Sequence, residues 1–312
     1  MNEILKRINE VKHIVVISHV NPDTDSIGSA SAFYTHLLRL HKKVSFVCVT
    51  KEINQKFAFL PWFEKIRNTF PSSADLAISF DCANKKRIGL EIDCDLINID
   101  HHKSNTKYGD INLVDANSIS TTKILYDFFK LNNIVLNIKM ATALYAGLLD
   151  DSDGFLDDRV DGTVFAVIKE LIECGADYKT SNKFVKKWIS LGAFRLKAIM
   201  YKNMKLMCNA KVAVFCIDDN DIKSSGAMIQ DCEGALKESL YLPTVKVAFL
   251  LKINSDFSIK GSLRSNSLVD VSRIASSFGG GGHNDRAGFN IKAGSVAQEV
   301  KEKILKLICK EI

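Results

Sequence analysis

Short apolar runs alternate, through the first half of the chain, with segments whose apolar residues recur at three-and-four spacing. The β-branched run Val15-Val-Ile17 marks a strand over Val11–Ile17, and Ala30, Phe33, Leu37 and Leu40 predict a helix over Ser26–Leu40. Val44–Val49, Leu76–Phe80 and Leu96–Ile99 are three more short strand candidates. Ala141, Leu144, Tyr145, Leu148 and Leu149 mark a further helix, and one over Val164–Cys174 is expected to stop at Gly175, where a glycine fits just past a helix end. Short apolar strands between helices predict an α/β fold with a parallel sheet covered on both faces.

The pattern changes beyond residue 180. Ser181–Met207 is helix-like and basic, with Lys183, Lys186, Lys187, Arg195, Lys197, Lys202 and Lys205, and it lacks a Pro/Ser-rich linker. Strand patterns resume at Lys211–Ile217, Val245–Ile253 and Phe257–Leu263. A helix over Val269–Phe278 then leads into four glycines, and a last helix carries Val296, Val300, Ile304 and Ile308 on one stripe. The expected organisation is an N-terminal parallel-sheet domain over 1–180, a helical connector over 181–207, and a smaller C-terminal α/β domain over 208–312.

A length of 312 residues suits two cores better than one, and 46% apolar with 25% charged residues is ordinary for a globular protein. The net charge of +6 is compatible with a polyanionic substrate but too small to demand a long nucleic-acid track. Eight cysteines contain no C-x-x-C pair, and runs such as Phe46-Val-Cys48-Val and Val214-Phe-Cys216-Ile favour buried, reduced thiols over disulfides or zinc. The N-terminus has no apolar signal region, and no run of about 18 apolar residues occurs. A soluble, cytoplasmic protein without membrane attachment is the expectation.

The candidate chemistry sits at or just past apolar runs. His19-Val-Asn-Pro-Asp23-Thr-Asp25, Asp81, Asp100-His101-His102 and Asp151 offer carboxylate oxygens and imidazole nitrogens, the donors that suit Mn²⁺ or a similar divalent ion. Gly279–Gly282 followed by His283 offers backbone N–H groups and an imidazole where an anion could sit. Together these point to a two-metal phosphoesterase. Each group also has a plainer reading. Asp23 or Asp25 alone reads as a helix cap, Asp81 alone as a turn residue, and the glycine run alone as a flexible turn. Asp151 lies among Asp150, Asp153, Asp157, Asp158 and Asp161, and spacing does not select it. Three ligand types within seven residues at a strand end, and two adjacent histidines after a buried strand, tilt the balance toward a site.

The order of these groups resembles the DHH phosphoesterase superfamily. Asp100-His101-His102 is its named signature, His19–Ser29 is similar to its first motif, Phe80–Ile88 to its second, and Leu144–Phe155 to its fourth, aligned on Gly147 and Phe155. The resemblance implies one Mn²⁺ held by His19, Asp23 and Asp81, and another held by Asp25, Asp81, His101 and Asp151, with Mg²⁺ or Co²⁺ as substitutes. Asp81 would bridge them, Asp100 would orient an imidazole, and His102 would face the substrate phosphate. A water activated by both ions would then attack phosphorus, with no Ser or Cys nucleophile.

Ser262-Leu-Arg264-Ser265 and Gly279-Gly280-Gly281-Gly282-His283-Asn-Asp-Arg286-Ala-Gly288 resemble the DHHA1 domain that accompanies DHH in RecJ-like exonucleases, nano-RNases and pAp phosphatases. Arg264, Gly280, Gly281, Gly282 and His283 would bind substrate phosphate. Arg286 departs from relatives, which carry a small or uncharged residue there. The implied activity is hydrolysis of short single-stranded RNA or DNA oligonucleotides, including linear dinucleotides such as pGpG, to 5′-mononucleotides, with 3′-phosphoadenosine 5′-phosphate as a related substrate. Two alternatives stay open: a RecJ-like 5′→3′ single-strand DNA exonuclease using the basic 183–205 segment as track, and a family II inorganic pyrophosphatase, whose first motif Asn21–Ile27 also resembles. A non-enzymatic nucleotide-binding module would require a dead metal site. A homodimer is compatible with the apolar helices and with the resemblance.

Overall fold

The Val15-Val-Ile17 run lies in the middle of a six-stranded, wholly parallel sheet in the computed structural model, which describes residues 3–266 and 269–312. The chain divides into two units, Met1–Trp188 and Ile189–Ile312. The first runs α1 (Glu3–Glu10), β1 (His13–Ser18), α2 (Thr24–Arg39), β2 (Lys43–Val47), β3 (Ile66–Arg67), β4 (Leu76–Phe80), β5 (Asp95–Asp100), β6 (Ile111–Val114), α3 (Thr121–Leu131), α4 (Ile138–Asp151), α5 (Gly162–Glu173) and α6 (Tyr178–Asn182). Its strand order is β3-β2-β1-β4-β5-β6. The order reverses between β1 and β4, and in such sheets a crevice opens there, outside the carboxyl ends of the strands.

Each strand end is fixed by register. Every residue of β1 and β4 is buried, so a slip would exchange the side chains packed on the two faces and disrupt both. Ser18 of β1 stands beside Phe80 of β4, and Phe80 beside Ile99 of β5, so the residues that follow emerge side by side. Helix α2 is buried from Thr24 to Leu37, packed all round rather than along one stripe. Its small residues allow close approach. A Cβ on Gly28 would lie 2.6 Å from the carbonyl oxygen of Ala143 in α4. Gly175, with φ +89°, follows α5 as expected.

One buried group of α2 sets an acid limit on stability. His36 packs against Phe33 and Phe129, and among the described residues its Nε2 has no hydrogen-bond partner. Burial, helped by Arg39, lowers its pKa to about 4. Above the unfolded value near 6.5 both states are neutral and the site is indifferent to pH. As pH falls from there toward 4 the unfolded chain takes a proton that the folded one refuses, so stability drops by about 3 kcal/mol and then levels. His36→Phe should remove that component. Urea midpoints of both proteins at pH 7 and 4.5 test it, and equal acid slopes would show that His36 is not responsible.

The second unit runs α7 (Leu191–Asn203), β7 (Lys205–Met207), β8 (Val212–Asp218), α8 (Asp219–Ser225), α9 (Cys232–Ser239), β9 (Val247–Ile253), β10 (Ile259–Ser265), α10 (Val271–Ser276), β11 (Gly281–Gly282), β12 (Arg286–Ile291) and α11 (Ala297–Ile308). Its mixed sheet has the order β11-β12-β10-β9-β8-β7, parallel only between β8 and β9. The basic stretch 181–207 divides between the units. A π-helical turn, Lys183–Lys187, continues α6, extended backbone at Trp188 ends it, and α7 packs against α8, α9 and β8. Among the described residues no helix is long and apolar enough to cross a membrane.

Two cysteine expectations are overturned. Cys208 and Cys309 form a disulfide, with Cα atoms 6.2 Å apart. Cys208 packs on the cluster that holds Ile304 and Ile308 of α11, the turns just before Cys309. Cys216 is exposed rather than buried, because edge strand β7 pairs with β8 only as far as Val214. Cys48, Cys82 and Cys232 are buried free thiols.

Candidate metal centre

Five chain segments deliver the acidic and imidazole residues to the carboxyl edge of the first sheet. His19 follows β1. Asp23 is the N-cap of α2: its Oδ1 accepts from the Ser26 N–H at 2.9 Å, while Oδ2 lies 3.5 Å from His19 Nε2. The helix-cap reading of Asp23 and the ligand reading are therefore both served, by different oxygens. Asp25 is fully buried in the first turn of α2. Asp81 follows β4 with φ +57°, a left-handed conformation that Asp tolerates better than most residues. Asp100 ends β5 and His101 and His102 follow it, while Asp151 ends α4.

Asp81 is common to every close grouping. Its Oδ2 is 3.4 Å from His19 Nε2, and its Oδ1 is 3.4 Å from His101 Nε2 and 3.5 Å from His102 Nδ1. Asp151 Oδ2 lies 3.1 Å from His101 Nε2. Ligand atoms of His19, Asp23 and Asp81 lie within 4.8 Å of one another, as do those of Asp25, Asp81, His101 and Asp151, and either set could hold a metal ion. The acidic loop is thereby sorted. Asp151 reaches the cluster, whereas Asp161 caps α5, Asp157 pairs with Arg159, and Asp153 lies 3.3 Å from Lys186.

Surrounding hydrogen bonds aim these groups. His19 Nδ1 contacts the Val20 carbonyl at 2.9 Å and His101 Nδ1 the Ser118 carbonyl at 3.3 Å, which directs both Nε2 atoms into the cluster. Buried Asp100 holds His102 through a 2.7 Å contact from Oδ1 to Nδ1, while its Oδ2 accepts from Asn105. Asp25 accepts from the Thr121 N–H at 2.7 Å, the Thr122 N–H at 3.0 Å and the Thr122 hydroxyl at 2.5 Å. The Thr121 hydroxyl donates to Asp81 Oδ1 at 3.0 Å. Sequence reasoning missed both threonines. The only signal was an N-cap pattern at Ser120-Thr121-Thr122, which predicts a helix start and nothing more.

The electrostatics describe a cage with more negative charge than its own protein cations offset. Burial, then repulsion from Asp151 and Asp81, raises the pKa of Asp25 well above the ordinary carboxylate value. Burial, with Asp81 and Asp23 nearby, raises Asp151 to about 6. Asp81 moves the other way: burial opposes its charge, but His101 and His19 hold it low. Burial also opposes charge on the two histidines, yet Asp23 and Asp81 raise His19 to about 10, and Asp151 and Asp81 raise His101 to about 11. Protons on imidazoles here do the work that divalent cations would do better. Buried carboxylates crowded against one another with Nε2 atoms turned inward fit a hard or borderline divalent ion.

In the second unit the predicted phosphate residues are placed differently from the simplest expectation. Arg264 on β10 is ion-paired to Glu233 at 2.5 Å and donates to the Leu263 carbonyl at 2.7 Å. The glycine run is not an open nest. The N–H groups of Gly279 and Gly280 bond to Ser276 and Ala275 at the end of α10, and Gly281 and Gly282 form edge strand β11 against β12. A Cβ on Gly280 would lie 2.2 Å from the Gly288 carbonyl oxygen, so close backbone packing itself demands glycine there. His283 is exposed, and Arg286 stands directly opposite Arg264 in the β10–β12 register. In the basic stretch, Lys197 is ion-paired with Glu238 at 2.5 Å, which with the Lys186–Asp153 pair leaves less free charge than its composition suggests.

Comparison with known proteins identifies the family and the fold. The family model for the DHH family, N-terminal domain, matches residues 13–148, and that for the DHHA1 domain matches 209–312. The chain is 26% identical to the bifunctional oligoribonuclease and PAP phosphatase NrnA of Thermus thermophilus, over 99% of this chain and 93% of that protein. It is also 26% identical to the Bacillus subtilis protein of the same name, over 99% and 98%. A crystal structure of an exopolyphosphatase-related protein from Bacteroides fragilis shares the fold, with a TM-score of 0.89 and 23% identity over 99% of this chain and 96% of that one.

Proposed function

The chain belongs to the DHH/DHHA1 phosphoesterase family, and from that premise we propose that it hydrolyses very short oligonucleotides to 5′-mononucleotides and removes the 3′-phosphate of 3′-phosphoadenosine 5′-phosphate, using Mn²⁺. The observation that carries this reading is the division of Asp81, whose two oxygens face His19 on one side and His101 on the other. The substrate class draws on relatives that match end to end and are named for both activities.

His19, Asp23 and Asp81 would hold one ion, and Asp25, Asp81, His101 and Asp151 the second. Bound there, the pair supplies Lewis acidity to the phosphoryl oxygens and lowers the pKa of an attacking water. The chain does the rest. Asp81 keeps the two ligand sets in register, and Thr121 and Thr122 hold the carboxylates of Asp81 and Asp25. Asp100 accepts from His102 Nδ1 and so fixes the ring, leaving Nε2 for a phosphoryl oxygen, to which it donates when the ring is cationic. In the second unit, phosphate binding is assigned to Arg264, His283 and the Gly280–Gly282 segment, of which Gly281 and Gly282 are exposed. Arg286 adds charge opposite Arg264, and a phosphate would replace Glu233 at that guanidinium.

Purified protein with Mn²⁺, offered a dinucleotide, a five-nucleotide RNA, 3′-phosphoadenosine 5′-phosphate, pyrophosphate and a long single-stranded DNA in parallel, should turn over the first three fastest. Turnover of pyrophosphate alone would replace this reading with the pyrophosphatase one. Chelation should abolish activity and Mn²⁺ should restore it best. Metal uptake should also release protons. With His19 raised to about 10 and His101 to about 11, both rings are protonated at pH 7 without metal, and ligation requires them neutral. Affinity should therefore fall as pH falls, with protons released on loading at pH 7 from both rings and, because its pKa is raised too, from Asp25. Titration calorimetry in buffers of different ionisation enthalpy measures that release, and a heat independent of buffer would refute it.

A further inference from the structure

Arg87 lies in the short turn Lys85–Ile88 that follows β4. Its backbone is fastened at both ends: its N–H donates to the Asn84 carbonyl at 3.0 Å, and its carbonyl accepts from the Val20 N–H at 2.8 Å. The residue is thus tied to the loop that carries His19. Its Nη2 lies 3.0 Å from Nδ1 and 3.3 Å from Nε2 of the His19 ring. Near-equal distances to both nitrogens set the guanidinium against the ring rather than along one lone pair, and Nδ1 is already engaged by the Val20 carbonyl. The contact lies against the ring nitrogens and leaves the other guanidinium nitrogens free of the ring.

Among the described residues no carboxylate pairs with this half-buried cation. Among the described residues its side-chain donors meet only the His19 ring, and a guanidinium does not shed its charge. The adjacent His19–Asp23–Asp81 set could hold a divalent ion. Two cations fixed side by side repel unless an anion lies between them. A phosphoryl group carries the charge, and its paired oxygens match the guanidinium fork.

We propose that Arg87 is a catalytic residue that donates N–H hydrogen bonds to the non-bridging oxygens of the scissile phosphate, on the His19 side of the centre. There it opposes the charge that gathers on the phosphoryl oxygens in the transition state. This rests on the phosphoesterase reading and adds a substrate contact that the metal ligands do not supply. The rival role is positional: Arg87 would merely hold the His19 ring.

Arg87→Gln, Arg87→Ala and Arg87→Lys separate these roles. Arg87→Gln should lower kcat by about 10²-fold or more, in line with the loss of a single preorganised donor. Mn²⁺ affinity should stay within about twofold of wild type, while inhibition by inorganic phosphate should weaken about tenfold or more. Arg87→Lys should recover part of the rate, and free guanidinium should partly rescue Arg87→Ala. A kcat within about threefold of wild type would overturn the proposal, and so would a rate loss matched by lost Mn²⁺ affinity, since either is what ring positioning predicts. The variants are compared on whichever substrate wild type cleaves. If that is pyrophosphate alone, the oligonucleotide reading fails while the Arg87 comparison still stands or falls by itself.

Discussion

Asp81→Asn should lower kcat by about 10³-fold or more and empty both metal sites together, because one carboxylate serves two ligand sets. Asparagine is the informative substitution. Asp81 sits at φ +57°, and Asn is among the few residues that adopt that conformation readily, so the variant should fold. Its amide keeps one oxygen acceptor and turns an NH₂ toward either the His19 side or the His101 side, where Asp81 presents separate oxygens 3.4 Å from each ring. The negative charge that holds both imidazoles cationic in the metal-free state is also lost, so fewer protons should be released when metal is added. Asp23→Asn is the natural comparison. It touches only the His19 set and should cost less activity while sparing the other ion. Metal content by mass spectrometry, read beside kcat, tests the difference. An Asp81→Asn protein that kept two ions and near-native turnover would remove Asp81 from its bridging position.

The strand-end members of the candidate metal cluster were legible because they follow recognisable apolar elements, whereas Asp151 stood out from its acidic loop only through the resemblance. His19, Asp81 and Asp100 stand at the ends of strands whose burial is nearly complete, and such strands announce themselves as β-branched runs. The second tier was not legible. Thr121 and Thr122 reach Asp25 across 96 and 97 positions, and nothing local marks a threonine at a helix start as a carboxylate's partner. Arg87 lay within the Phe80–Ile88 stretch that resembles the second motif, but no role attached to it until the fold set it against His19. Glu233 lies 31 residues from the arginine it pairs with, and Cys208 and Cys309 are separated by 101. The glycine run carries two readings at once: glycine is required both where an anion approaches backbone and where another strand does, and β12 is a close neighbour here. Pattern reveals the local period; it does not reveal which distant groups share a crevice.

Gly147→Ala should destabilise the first unit by about 1–3 kcal/mol and lower activity by about 10²-fold, although helix propensity alone argues the reverse. Gly147 lies inside α4, where alanine would favour the helix by about 1 kcal/mol. Packing decides the sign. A Cβ there would stand 2.5 Å from Thr122 Cγ2 and 2.6 Å from Asp25 Oδ1. Neither neighbour is the free end of a flexible chain. Thr122 is β-branched and bonded to Asp25, and Asp25 is buried with three donors aimed at it. Relief requires α4 to move off α2, where Gly28 already admits the Ala143 carbonyl, or Asp25 to leave its place in the ligand set. Either movement reaches Asp25 and Asp151 before it reaches His19 or Asp23, so the affinity of the Asp25–His101–Asp151 set for Mn²⁺ should fall first. Gly162→Ala is the control. That glycine opens α5 with nothing within 4 Å of a Cβ, so its substitution should be neutral or mildly stabilising. Urea midpoints and kcat for the two variants separate the cases. If Gly147→Ala matched Gly162→Ala in both, the close packing of α4 on Asp25 would not be what holds that carboxylate in the cage.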